Sequence, residues 1–131
     1  MSVAEEADLL PELDREFLEE KGYSYSASKT GAETHVIIRE FDFPAAYAPR
    51  KADLLIILPA GYPNANPDMF WTYPDVKLVN GSWPINSTEH QVHGDRNWQR
   101  WSRHYQGQWR AGVDGFRSYL AAVRTEIAKG V

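Results

Sequence analysis

Cysteine is missing altogether from this chain of 131 residues. Disulfides and thiolate metal sites are therefore excluded. Long apolar runs are missing too: none approaches the roughly 18 residues that read as a membrane span. The first ten residues are acidic and lack the basic-then-apolar layout of a signal peptide, so the expected location is the cytoplasm, away from membranes. Positive charge is in deficit. Lys and Arg number 14 against 18 Asp and Glu, a net charge of −4, which argues against nucleic acid as a partner. The basic residues between Arg96 and Arg110 still form a local patch. Internal repeats and low-complexity tracts are also absent.

What is present points to one folded domain across residues 1–131. Apolar residues make up 43% of the chain and aromatics 13%, enough for one sizeable core. Residues 9–20 read as a helix, with Leu10, Leu13, Phe17 and Leu18 in one stripe and Lys21-Gly22 as its stop. Residues 23–28 and 34–41 read as a hairpin across the turn Lys29-Thr30-Gly31. Residues 52–58 hold Leu54-Leu55-Ile56-Ile57-Leu58 and suit a central strand, and residues 69–72 a short fourth one. Residues 73–108 show little periodicity and read as a long ordered loop with one short helix, pinned by Trp83, Trp98 and Trp101. The last segment is a helix carrying Val113, Phe116, Tyr119, Leu120, Val123 and Ile127 on one side, capped by Asp114 and stopped at Lys129-Gly130. His35 reads as a surface residue of its strand. The predicted plan is α+β: helix, four-stranded antiparallel meander, long loop, helix.

Between the third and fourth strands stands Leu58-Pro59-x-x-Tyr62-Pro63-x-x-x-Pro67, followed by Phe70. Downstream come Trp98-Gln99-Arg100-Trp101-Ser102-Arg103-His104, and then Trp109 and Gly112 before the last helix. These motifs, in this order, resemble the ubiquitin-conjugating (UBC) superfamily, and the tryptophan block resembles its prokaryotic family E branch. The resemblance covers nearly the whole chain. It implies a UBC-like fold whose long loop holds the active site. It also implies a ubiquitin-like protein and its activating enzyme as partners, a substrate lysine as acceptor, and no cofactor. The chain departs from the family in lacking His-Pro-Asn before the site, where Tyr73-Pro74-Asp75 is a faint echo, and in lacking the nucleophilic cysteine.

The family's reaction is acyl transfer from a thioester, for which a thiolate is suited. Serine is the nearest substitute and forms an oxyester only with a base beside it. Two alignments place the position. Asn80-Gly81-Ser82 resembles the family's upstream anchor and brings the site near Pro84, with Ser82 or Ser87 at hand. Counting back from Trp109 by the family's spacing reaches Ser102, seven residues upstream. Ser102 is the preferred nucleophile, with His104 as base and Arg103 and Arg100 to stabilise negative charge. His93, Asp95 and Trp109 are supporting candidates. The plainer alternative is that Trp98, Trp101 and Tyr105 are aromatic core with arginines stacked on them, and that the chain is an inert UBC variant binding its partners non-covalently. A third arrangement, His90-x-x-His93-x-Asp95 with Glu89 as base, has zinc-like residue types, although loop histidines are the simpler account.

Overall fold

The structure is a computed structural model that describes residues 9–129. The acidic stretch 1–8 and the expected stop at Gly130 lie outside the described residues. Helix α1 spans Glu12–Glu20 and helix α2 spans Phe116–Lys129. Between them run β1 (Tyr25–Thr30), β2 (Glu33–Asp42), β3 (Tyr47–Ala48), β4 (Lys51–Leu58), β5 (Phe70–Tyr73), β6 (Lys77–Leu78), β7 (Glu89–His93) and β8 (Arg96–Trp101). The main sheet has the order β1-β2-β4-β5-β8-β7, antiparallel throughout, and β3 pairs with β6.

The four predicted strands are β1, β2, β4 and β5, in the predicted order. The segment expected to be one long loop is different. It contains β6 and the hairpin β7–β8, which adds two strands to the main sheet. Its short-range alternation is hard to see in Arg-Asn-Trp-Gln-Arg-Trp because both faces of β8 are used: Trp98 packs on one side of the sheet and Trp101 on the other.

The inner face carries both helices. Val36, Ile38, Leu54, Ile56, Leu58, Phe70 and Trp101 meet Phe17 and Leu18 of α1 and Phe116, Leu120, Val123 and Ile127 of α2. The buried face of α1 is Asp14, Phe17 and Leu18, one helical stripe, and Leu10 just before the helix is buried with them. Leu13, predicted to share that stripe, is instead 76% exposed. Asp14 takes the inward place because its carboxylate is a cap for the other helix. Its Oδ1 accepts the Phe116 N–H at 3.0 Å, and its Oδ2 accepts the Tyr62 hydroxyl at 2.5 Å. Asp114, the predicted cap of the last helix, accepts the Arg110 N–H instead, and Val113 lies in an exposed turn before α2. The acceptor for the first turn of α2 thus comes from a residue 102 positions away.

The outer face holds a smaller cluster of Leu55, Trp71 and Trp98, flanked by Ile37, Ile57 and Met69. The hairpin arches over it. His93 of β7 makes an edge contact with His35 of β2 at 5.5 Å between ring centroids. Those strands are four places apart in the sheet, about 19 Å in a flat sheet at the usual strand spacing. The contact therefore requires the sheet to curl strongly onto itself. His35 is accordingly buried, not a surface residue as the sequence suggested.

Candidate functional site

The two alignments of the expected nucleophile, which reach different residues along the chain, meet in space. The β7–β8 hairpin leaves the fold after residue 87 and returns at residue 102, and the Ser102 N–H donates to the Asn86 carbonyl at 2.8 Å. The hairpin is the stretch of chain that lies between the two anchors in sequence. Its base, residues 84–87 with 102–104, is the candidate site.

Each hydroxyl there has a definite environment. Ser102 centres a tight turn in which the Arg103 N–H donates to the Trp101 carbonyl at 2.8 Å. The residue is half-buried, and among the described residues its hydroxyl makes no hydrogen bond. Ser87 is fully buried and donates its hydroxyl to the Pro84 carbonyl at 2.6 Å. Ser82 is exposed in a turn, its N–H bound by the Asn80 side chain at 2.9 Å.

The expected helpers of Ser102 are engaged elsewhere. His104 is exposed, and its Nδ1 lies 2.8 Å from Asp68 Oδ2. Asp68 Oδ1 also accepts the Tyr105 N–H at 3.1 Å, so one carboxylate fixes both residues. Arg103 is buried. Its Nε and Nη2 donate to the Ile85 carbonyl at 2.8 and 2.6 Å, and its Nη1 to the Glu126 carbonyl at 3.0 Å. The Glu126 carboxylate adds charge at 3.6 Å, and the guanidinium lies over Trp101. Arg103 thus ties the loop at the hairpin base to the last turn of α2. Replacing Arg103 with alanine is expected to lower stability by about 2–4 kcal/mol, since a buried guanidinium and its hydrogen bonds to the Ile85 and Glu126 carbonyls are lost. Chemical denaturation measures it, and lysine should restore only part, because it cannot reproduce the forked geometry.

Arg100 points from the outer face, and its Nε is enclosed without a partner. His93 and Asp95 sit at the far end of the hairpin, away from its base. Trp109 donates from Nε1 to the Pro63 carbonyl at 2.9 Å and packs against Tyr62 and Tyr105. It anchors the Tyr62-Pro63 turn. Burial, then the Asp14 carboxylate, push the Tyr62 hydroxyl well above its ordinary value, so it stays a donor. The zinc-like arrangement does not assemble: His90 pairs with Asp75 at 2.9 Å on one side of β7, and His93 faces His35 on the other. Among the described residues no cluster of three or more metal-ligating side chains occurs.

Sequence reasoning missed three residues that shape the site. Asp14 lay hidden in an acidic helix. Asp68 directs His104. Gln99, between two tryptophans, is buried and binds both backbone groups of Val76, pinning the strand that follows the Tyr73-Pro74 turn.

One further surface stands out. Leu13 of α1 and Val113 of the turn before α2, 76% and 68% exposed, flank a groove of about 320 Å³ lined also by Pro63, Phe17 and Arg117. No helix among the described residues is long and apolar enough to cross a membrane.

A helix, a curled antiparallel sheet with the Tyr62-Pro63 turn, and a closing helix define a UBC-like α+β domain without the family's thiol. The family model for prokaryotic E2 family E matches residues 10–130, and the chain belongs to that family. No curated protein and no solved structure matches it.

Proposed function

We propose that this chain is a cysteine-free UBC-like binding module that holds a ubiquitin-like protein or its activating enzyme non-covalently. The observation that carries this reading is the state of the candidate nucleophile. Ser102 has no base within hydrogen-bond reach, while Arg103 and His104, the groups that would activate it, are bound to Ile85, Glu126 and Asp68. A hydroxyl without a base is a poor nucleophile near neutral pH. The exposed Leu13–Val113 groove supports the reading, because the family resemblance puts docking of the activating enzyme around the N-terminal helix.

Apolar anchors in the middle of an interface carry most of its free energy. Leu13→Glu combined with Val113→Glu should weaken binding of the activating enzyme at least about tenfold, the equivalent of some 1.4 kcal/mol. Ser102→Ala should leave the affinity unchanged. Titration calorimetry with the full chain reads both. Equal affinity in the groove variant, or a loss in Ser102→Ala, would sink the proposal.

A second reading keeps the enzyme. Ser102 stands where both sequence anchors converge and its hydroxyl is unpaired. In that reading it takes the acyl group of a ubiquitin-like C-terminus as an oxyester, and a substrate lysine then attacks. His104 would have to bring its Nε2 to Ser102 with Nδ1 still on Asp68 to serve as base. Asp68 would then orient it, as carboxylates do for catalytic histidines.

A further inference from the structure

Strand β8 is paired with β5 through residues 99–101, and beyond that pairing the tip of the β7–β8 hairpin is held over the outer sheet face by a small set of side-chain contacts. His93 packs edge-on against His35 at 5.5 Å and against Trp71 at 5.2 Å. The Trp71 indole donates to Gln91 of β7 at 2.9 Å, and within the hairpin the Trp98 indole of β8 donates to the His93 carbonyl of β7 at 3.1 Å. Arg96 reaches Asp53 of β4 at 2.7 Å. Behind these contacts lies a cavity of about 310 Å³ between the hairpin tip and strands β1, β2 and β4. The hairpin is packed at its edges and hollow beneath.

We propose that this hairpin is an acid-released strap, closed by contact between neutral His35 and His93 and loosened when the two imidazoles are protonated.

Both nitrogens of a charged imidazole are donors and need acceptors or water. His93 Nε2 is shut off from solvent and has no partner. The His35 ring is largely buried as well, with Glu33 Oε1 4.0 Å from its Nε2. Two cations at ring contact would also repel each other. Burial holds the His35 imidazole below its ordinary value, with Glu33 offsetting part of the effect. Burial also lowers His93, the His35 charge lowers it further, and Glu33 again opposes. The other charged groups facing the pair are Arg39 from β2, Asp53 from β4, Asp68 from the loop before β5, and Asp95 and Arg96 from the hairpin itself. Asp53 and Arg96 neutralise one another. Glu33 is the acid nearest the pair, with its Oε1 4.0 Å from His35 Nε2. That single partly exposed carboxylate is too little for two charges.

The sign follows from linkage. A histidine freed by opening titrates near 6.5, whereas the closed hairpin resists the proton. Closure is complete above about 6.5 and weakens as the pH falls below it. The Asp53–Arg96 pair and the Trp71–Gln91 hydrogen bond then remain to hold the tip. Opening uncovers Leu55, Trp71 and Trp98, an apolar surface that is buried at neutral pH.

The test is an NMR titration of the ¹⁵N-labelled full chain from about pH 7.5 to about 5, a range that brackets ordinary histidine titration. The indole signals of Trp71 and Trp98 should shift or broaden together with the His35 and His93 ring signals, with midpoints below the free-histidine value. Trp101, whose indole donates to Thr72 in the inner core, should stay still and so exclude general unfolding. In His35→Leu/His93→Leu the Trp71 and Trp98 signals should no longer respond. The proposal is overturned if the two indoles stay fixed while the rings titrate, if Trp101 moves with them, or if the double variant keeps the wild-type midpoint. Should that variant fail to fold, the wild-type comparison of indoles and rings decides alone.

Discussion

Gln99→Leu is expected to destabilise the protein by about 3–5 kcal/mol, although leucine nearly matches glutamine in volume and belongs in a core. Gln99 is fully buried, and every one of its partners is buried with it. Its Oε1 accepts the Val76 N–H at 2.6 Å and the Thr72 hydroxyl at 3.0 Å, and its Nε2 donates to the Val76 carbonyl at 3.0 Å. Thr72 in turn accepts the Trp101 indole at 3.0 Å. The side-chain amide thus stands in for a neighbouring strand at the point where the chain leaves β5. Leucine strands both backbone groups of Val76, each at about 1–3 kcal/mol when buried without a partner. The urea midpoint should fall without a change in slope, which separates lost stability from a changed denatured state. A loss below about 1 kcal/mol would mean that water reaches Val76 and that the network is less enclosed than its geometry shows.

Asp14→Ala should cost about 2–4 kcal/mol, more than a typical helix cap is worth. One carboxylate holds three parts of the fold together. It sits on α1, caps α2 through the Phe116 N–H, and receives the hydroxyl of Tyr62 from the proline-rich turn. Gly115 belongs to the same junction: a Cβ there would meet Asp14 Oδ1 at 3.0 Å. Tyr62→Phe removes only one of the two bonds and should cost about 1–2 kcal/mol. Combining the two substitutions should cost clearly less than the sum of the singles, because both remove the same bond. Full additivity would contradict the account of Asp14 as a shared junction.

These two residues also show where the sequence was silent. The helices, strands β1, β2, β4 and β5 and the proline-rich turn follow from apolar periodicity and from proline's missing donor, both local properties, and they were legible. Asp14 was not, because an acidic residue in Glu-Leu-Asp-Arg-Glu reads as solvated charge. Its inward direction is decided by α2, more than one hundred residues away. Leu13 was assigned inward because it is apolar and falls near the stripe of Leu10, Phe17 and Leu18, and it faces out. The hairpin β7–β8 was missed because period-2 alternation marks a strand only when one face is wet, and here Trp98 and Trp101 are buried on opposite faces. Of the candidate site, the convergence on residues 84–87 and 102–104 was half visible as two conflicting counts. Their reconciliation needed the hairpin. The roles expected of Arg103 and His104 rested on residue type alone, and residue type does not say whether a guanidinium faces an oxyanion or a carbonyl at a helix end.

The chain has no cysteine, and the serine proposed for its place, Ser102 at the base of the hairpin, has a hydroxyl that no base attends. Intact-mass measurement of the full chain, incubated with its activating enzyme, ATP and the ubiquitin-like protein, tests this most directly. The account predicts an unchanged mass for the chain, with a complex that forms and dissociates reversibly. An alkali-labile adduct heavier by one ubiquitin-like protein less water, formed by the wild type and lost in Ser102→Ala, would contradict it and establish the oxyester.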